Sequence, residues 1–152
     1  MQVCYHAHMK QVKRRSDCPI SFALDIFGDK WTLLVVRDLM FRNKMHFGDF
    51  LKSEEKIATN ILADRLNVLE YAGIIKKVQD SNNKTRYIYS LTNKGINIMP
   101  VLVEIVLWSA KYDLKTATPK KFVAQAKSNR EKLVKQIRMA LKQNKDFFHS
   151  KI

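Results

Sequence analysis

Cysteine, acidic residues and long apolar runs are all scarce in this 152-residue chain, and each scarcity removes a class of protein. Two cysteines, Cys4 and Cys18, are too few for the bridged framework of a small secreted domain, and they read as reduced thiols. No apolar run approaches the roughly 20 residues that a membrane-crossing helix needs. Met1 to Ser16 has no hydrophobic signal-peptide core, so the chain reads as cytoplasmic with no membrane partner. The motifs of enzymes are missing as well: no G-x-S-x-G elbow, no phosphate loop, no paired catalytic carboxylates and no cofactor fingerprint. No catalytic residue, cofactor or enzymatic activity is therefore assigned. Cys4, His6 and His8 alternate along a polar arm without a second cluster, which does not make a zinc site, so no metal is assigned either. Internal repeats and low-complexity segments are also lacking.

What is present is positive charge. The 28 Lys and Arg residues face 14 Asp and Glu, and the net charge of +14 favours a polyanionic partner, a nucleic acid or an anionic membrane face, without choosing between them. A hydrophobic content of 46% in this length supports one packed domain, or one domain with an appendage, and excludes disorder throughout.

Local patterns divide the chain into a basic arm over residues 1–16, a folded unit over 17–112 and a basic helical extension over 113–152. In the folded unit, Asp17-Cys18-Pro19 has the chemistry of a helix start, and Ile20, Ala23, Leu24 and Phe27 follow at helical spacing up to Gly28. Asp29 is placed to cap a second, strongly apolar helix with Trp31, Leu34, Val35, Leu39 and Met40, ending near Asn43. Met45-His46-Phe47 is too short to classify, with a brief strand pairing as one reading. A short helix is expected over Gly48–Lys52, a turn at Ser53-Glu54-Glu55, and a longer helix over Ala58–Ala72. That helix carries Leu62, Leu66 and Leu69 on one stripe, with Asn60, Ala63, Asp64, Asn67 and Tyr71 opposite. Beyond Gly73, the alternation in Ile75–Gln79 and Arg86–Leu91, around the turn residues Asp80–Lys84, predicts a β-hairpin. Thr92 or Asn93 then caps one long helix with Ile96, Met99, Leu102, Val103, Val106, Leu107 and Trp108, running through Pro100. Its apolar surface exceeds what so small a unit can hide, so a symmetric dimer through this helix and the first one is expected, with Leu102, Val106 and Trp108 at the interface. The extension holds 11 of the 28 basic residues but 3 of the 14 acidic ones, and Phe122, Ala126, Leu133, Ile137, Ala140 and Leu141 keep a helical period after Thr118-Pro119. One helix is expected there, docking its apolar stripe near Leu102–Trp108.

The fold class that results is mainly α with a small β-wing: a winged helix-turn-helix with a long dimerisation helix and an extra C-terminal helix. A short helix, a turn, a second helix and a basic hairpin in this order make a reader of the DNA major groove. From Cys18 to Tyr112 the sequence resembles the HxlR-type winged helix-turn-helix regulators, relatives of the MarR class. The resemblance rests on Cys18-Pro19, Gly28-Asp29-Lys30-Trp31, His46-Phe47-Gly48-Asp49-Phe50-Leu51, the Ile57–Ile74 segment, Tyr89-Ser90-Leu91-Thr92, Gly95 and Trp108. His46 and Phe50 depart from it, standing where the family commonly has Arg and Leu, and Ala58 replaces a usual serine cap.

The resemblance implies a homodimeric transcriptional regulator, most often a repressor, on a pseudo-palindromic operator in double-stranded DNA. Alternative readings are a winged-helix protein–protein interaction module and a non-specific nucleic-acid binder. In the operator-binding reading, Thr59, Asn60 and Ala63 face the groove, and an asparagine can pair bidentately with adenine. Arg65 is open to two roles, a phosphate contact or an internal salt bridge. Asn83, Lys84 and Arg86 at the wing tip and its outgoing strand are placed to touch the minor groove or adjacent phosphates. Cys18 is also open to two roles. The helix dipole favours a reactive thiolate that senses an oxidant or a small-molecule electrophile, as several such regulators do, whereas Asp17 opposes the thiolate and favours an inert, partly buried thiol.

Overall fold

The computed structural model describes residues 14–143. The Cys4-x-His6-x-His8 segment lies outside the described residues. The first helix, α1 (Pro19–Phe27), starts with Pro19 in the position where a missing N–H costs nothing, and Gly28 closes it by donating to the Leu24 carbonyl. The second, α2 (Thr32–Phe41), begins one residue after Trp31, and Asp29 caps it as expected: its carboxylate accepts the N–H groups of Trp31 and Thr32 at 2.8 and 3.0 Å. Val35, Val36 and Met40 bury the inner side of α2. Asn43, at a positive φ of 47°, turns the chain out of it. No strand forms at Met45–Phe47, although the Met45 carbonyl accepts the Tyr89 N–H at 2.8 Å and so fastens this segment to the hairpin.

Helix α3 (Phe47–Leu51) and helix α4 (Thr59–Tyr71) form the helix-turn-helix. Gly73, at φ +69°, supplies the left-handed turn that sends the chain from α4 into the hairpin. Strands β1 (Ile75–Gln79) and β2 (Tyr87–Leu91) pair antiparallel with Ile75 opposite Leu91 and Val78 opposite Ile88. Arg86, expected inside the second strand, lies just before it, with its N–H held by the Asn83 carbonyl.

The expected long helix is two helices, α5 (Asn93–Ile96) and α6 (Met99–Tyr112). Thr92 caps α5 by accepting from the Gly95 N–H. The break at Asn97-Ile98 follows from Pro100, which has no N–H to give and whose ring clashes with the carbonyl four residues earlier; it is accommodated in the first turn of α6 instead. Gly95 is required by close packing, because a Cβ there would meet the Ile74 carbonyl oxygen at 2.2 Å.

The extension likewise forms two helices rather than one, α7 (Lys120–Ser128) and α8 (Arg130–Lys142). Asn129 stands between them in a non-helical conformation and caps α8 by accepting the Lys132 N–H. Both dock on α6, as the apolar stripe implied, and Phe122, Ala126, Leu133 and Ile137 join the same core as Val36, Leu62, Leu69 and Met99. Each large side chain buried this way stabilises by about 1.5–3 kcal/mol relative to exposure. No helix among the described residues is long and apolar enough to cross a membrane, and no group of three or more His, Cys, Asp or Glu among them is placed to hold a metal ion.

Candidate nucleic-acid interface

Helix α4 is divided by its own periodicity. Leu62, Leu66 and Leu69 are buried, whereas Thr59, Asn60, Asn67 and Tyr71 are exposed, with Ala63 and Asp64 half-buried between them. Ala58 provides no side-chain cap, so the first N–H groups of the helix stay open at the end that carries Thr59 and Asn60. Unsatisfied N–H groups and the helix dipole both favour an anion there, and a phosphate backbone supplies one.

Two ionic frames hold this helix in position. In the first, Arg65 donates through Nη1 to Asp29 Oδ2 at 2.9 Å and through Nη2 to Asp64, tying α4 to the cap of α2. Of the two roles open to Arg65, the structure shows the internal salt bridge. Burial pushes the Asp29 carboxyl up, but hydrogen bonds from Thr32, Trp31 and Arg65 outweigh it and leave the group below the usual carboxylate range.

The second frame centres on Asp38, which is 2% exposed. Its carboxylate accepts from Arg37 Nε and Lys44 Nζ, both at 2.9 Å, and from Ser53 Oγ. Arg37 reaches on to Glu55 through both terminal nitrogens, which holds the Glu55 carboxyl down to about 2. Thus α2, the connection after it and the turn before α4 share one buried charge. Sequence reasoning missed this group. Its signal was a lone acid inside the apolar run Leu33–Met40, with Lys44 six residues on. His46 forms a third link: its backbone N–H donates to Asp49 at 3.0 Å, and its Nε2 lies 3.4 Å from Asp80 Oδ2 at the start of the hairpin turn. The Asp80 carboxyl sits below its ordinary range, first through the Asn82 backbone N–H and then through His46. Phe50 is a core residue packed edge to face on Tyr89, the ring centroids 6.2 Å apart.

Asn83, Lys84 and Arg86 are all exposed at the wing. The Asn83 side-chain oxygen is spent within the turn, accepting from the Thr85 N–H and hydroxyl, and Gln79 Nε2 donates to the Lys84 carbonyl at 2.7 Å. The cationic ends of Lys84 and Arg86 have no ion-pair partner among the described residues. Lys77 instead lies over the Tyr87 ring, 4.2 Å from its centroid.

Cys18 is an exposed free thiol at the N-cap of α1, so the partly buried alternative does not describe it. Asp17 beside it pairs with Arg14 at 2.8 Å. Of the three residues expected at a dimer face, Leu102 is buried in the core of the chain itself, Val106 is half-buried against that core, and Trp108 is 66% exposed. Trp108 belongs to a stripe on α6 with Val101, Ile105 and Tyr112, all exposed and spaced by three or four residues. Ile20 and Leu24 are exposed together on α1.

The profile of the HxlR-like helix-turn-helix family matches residues 26–117. Among relatives, the uncharacterised HTH-type transcriptional regulator sll1512 of Synechocystis is 37% identical over 86 residues, 57% of this chain and 63% of that protein. Among solved structures, PA1607 shares the fold with a TM-score of 0.61 at 35% identity, covering 70% of this chain and 72% of that one. The redox regulator HypR in its oxidised form superposes with a TM-score of 0.55 at 25% identity over 62% of this chain and 96% of HypR.

Proposed function

This chain belongs to the HxlR-like helix-turn-helix family of transcriptional regulators, and from that membership we propose a cytoplasmic homodimeric repressor that binds a pseudo-palindromic operator. The observation that carries the reading is α4 itself, buried along its leucine stripe and open along Thr59 and Asn60, in a chain of net charge +14. In this reading Thr59, Asn60 and Ala63 enter the major groove, while Lys84 and Arg86 hold the backbone beside it. The arm, the winged unit and the extension divide the work: the winged unit reads bases, and Lys132, Lys135 and Lys142 on α8 add sequence-independent attraction through counterion release.

Dimerisation through the exposed stripes of α1 and α6 supplies the two-fold symmetry. The exposed Cys18 thiol, at the start of α1 and therefore next to that interface, is the group through which an oxidant or electrophile acts, a reading supported by the likeness to a redox regulator. The test is selection of bound fragments from genomic DNA by the purified chain. A recovered motif with two-fold symmetry supports the reading; retention of DNA without any shared motif favours the non-specific binder, and no retention favours the protein–protein module.

A further inference from the structure

His46 joins the start of α3 to the hairpin through both ring nitrogens: Nδ1 lies 3.3 Å from Asp49 Oδ2, and Nε2 lies 3.4 Å from Asp80 Oδ2. A neutral imidazole carries one N–H, so its other nitrogen would turn a lone pair toward a carboxylate. Imidazolium carries two and suits both oxygens. The partner on the hairpin is placed to transmit that difference. Asp80, 8% exposed, accepts the Asn82 N–H at 2.9 Å through Oδ1, and its own N–H donates to the Arg86 carbonyl at 3.0 Å. One residue therefore closes the turn that presents Asn83, Lys84 and Arg86 and fastens that turn to His46. The remaining fastening of this segment, the Tyr89 N–H on the Met45 carbonyl, holds the middle of β2 rather than the turn.

An imidazole changes its charge between about pH 5 and 8, and the neighbours with shifted values do not. Burial pushes the Asp49 carboxyl up, but hydrogen bonds led by the His46 backbone N–H outweigh it, and the Asn82 N–H and then His46 hold Asp80 down, so both stay carboxylates. On the strands, Lys77 lies over the Tyr87 and Tyr89 rings. Burial, and then Glu70 of α4, pushes the Tyr89 hydroxyl up, so it stays neutral. Lys44, two residues before His46, is engaged by Asp38 and Ser53.

We propose that His46 is a pH-dependent link between the helix-turn-helix and the wing: as imidazolium it seats the wing turn for phosphate contact, and on losing its proton to water it releases the turn and weakens DNA binding. His46 is a positioning residue that acts through Asp80. The effect on DNA rests on the proposed DNA-binding role; the link itself does not.

Nuclear magnetic resonance of the full chain without DNA, from about pH 5 to 8, tests the link. The His46 ring, identified among the four histidines by its loss in His46→Arg, should titrate with the same midpoint as the backbone amides of Asp80, Asn82 and Arg86. In His46→Arg those amides should not move. Turn amides that ignore the His46 titration, or that still titrate in His46→Arg, would overturn the link. The consequence is read from binding to one fixed random-sequence duplex at constant ionic strength, because phosphate contacts carry no sequence information. Wild type should match His46→Arg, which keeps the other histidines, at about pH 5.5 and bind about fivefold more weakly at about pH 8, the margin between charge-assisted and neutral hydrogen bonds. Asp80→Asn, shown folded by circular dichroism, should make that ratio independent of pH. A wild-type ratio that is constant with pH would overturn the effect on DNA. A pH-dependent ratio that survives Asp80→Asn would overturn the positioning role, since His46 would then act on phosphate directly.

Discussion

Replacing Asp38 with alanine removes the one carboxylate that Arg37, Lys44 and Ser53 share. The side chain is 3% exposed and that of Lys44 17%, so water cannot readily replace the lost partner. Breaking a buried ion pair from one side costs about 3–5 kcal/mol, because the surviving charge is left without compensation. Against a total stability of about 5–15 kcal/mol for a domain, that is a large fraction. With a urea dependence of about 1–3 kcal/mol per molar, the unfolding midpoint should fall by about 2 M at unchanged slope. Far-ultraviolet circular dichroism at one fixed protein concentration is the assay, since any dimer links stability to concentration. Asp38→Ala combined with Lys44→Met should recover part of the loss, because it removes the orphaned ammonium as well. A midpoint within about 0.3 M of wild type, or a double variant less stable than Asp38→Ala alone, would refute the claim that one buried charge organises the approach to α4.

Acid should act on the same network. Glu55 has a folded value of about 2 against an ordinary 4.5, and Asp29 and Asp49 are also lowered, so their stabilisation is present above about pH 4.5 and is lost as pH falls towards 2. Urea midpoints measured from pH 7 down to 2 should drop in that window and Glu55→Gln should flatten the drop; a midpoint that rises there contradicts the assignment. Ile105→Glu, placed in the exposed stripe with Trp108, should give monomers by sedimentation at micromolar concentration, with weak operator binding because each half loses the effective concentration its mate supplies; an unchanged dimer would remove α6 from the interface. Lys84→Ala should weaken all DNA sequences alike and lower the logarithmic salt slope by about 0.9 for one phosphate contact, so an unaltered slope would detach the wing from the backbone.

The elements that positioned the interface were legible where local periodicity decides them. Leu62, Leu66 and Leu69 specify which side of α4 is buried, the alternation in Ile75–Gln79 specifies a strand, and Asp29 and Thr92 cap the helices they precede. The breaks were less legible. Apolar residues continue across Asn97-Ile98 and hide the interruption that Pro100 imposes, and Asn129 interrupts a stripe that otherwise keeps its period. Long-range charge pairing was the least legible. The partners of Asp38 come from positions up to 15 residues away, and only the folded arrangement brings Arg65 to Asp29, 36 residues distant. Periodicity says which side chains face inward; it does not say which charges meet.

The reading of α4 as the base-contacting element is tested most directly by selecting operators in parallel with wild type and Asn60→Ala. Asn60 is exposed on the open face of the helix, and its loss leaves the leucine stripe untouched. The wild type should recover a two-fold symmetric motif, and Asn60→Ala the same motif with relaxed preference at one base pair in each half-site, at a cost of about 1–3 kcal/mol in affinity for the original operator. An identical motif bound with identical affinity by both proteins would contradict the account.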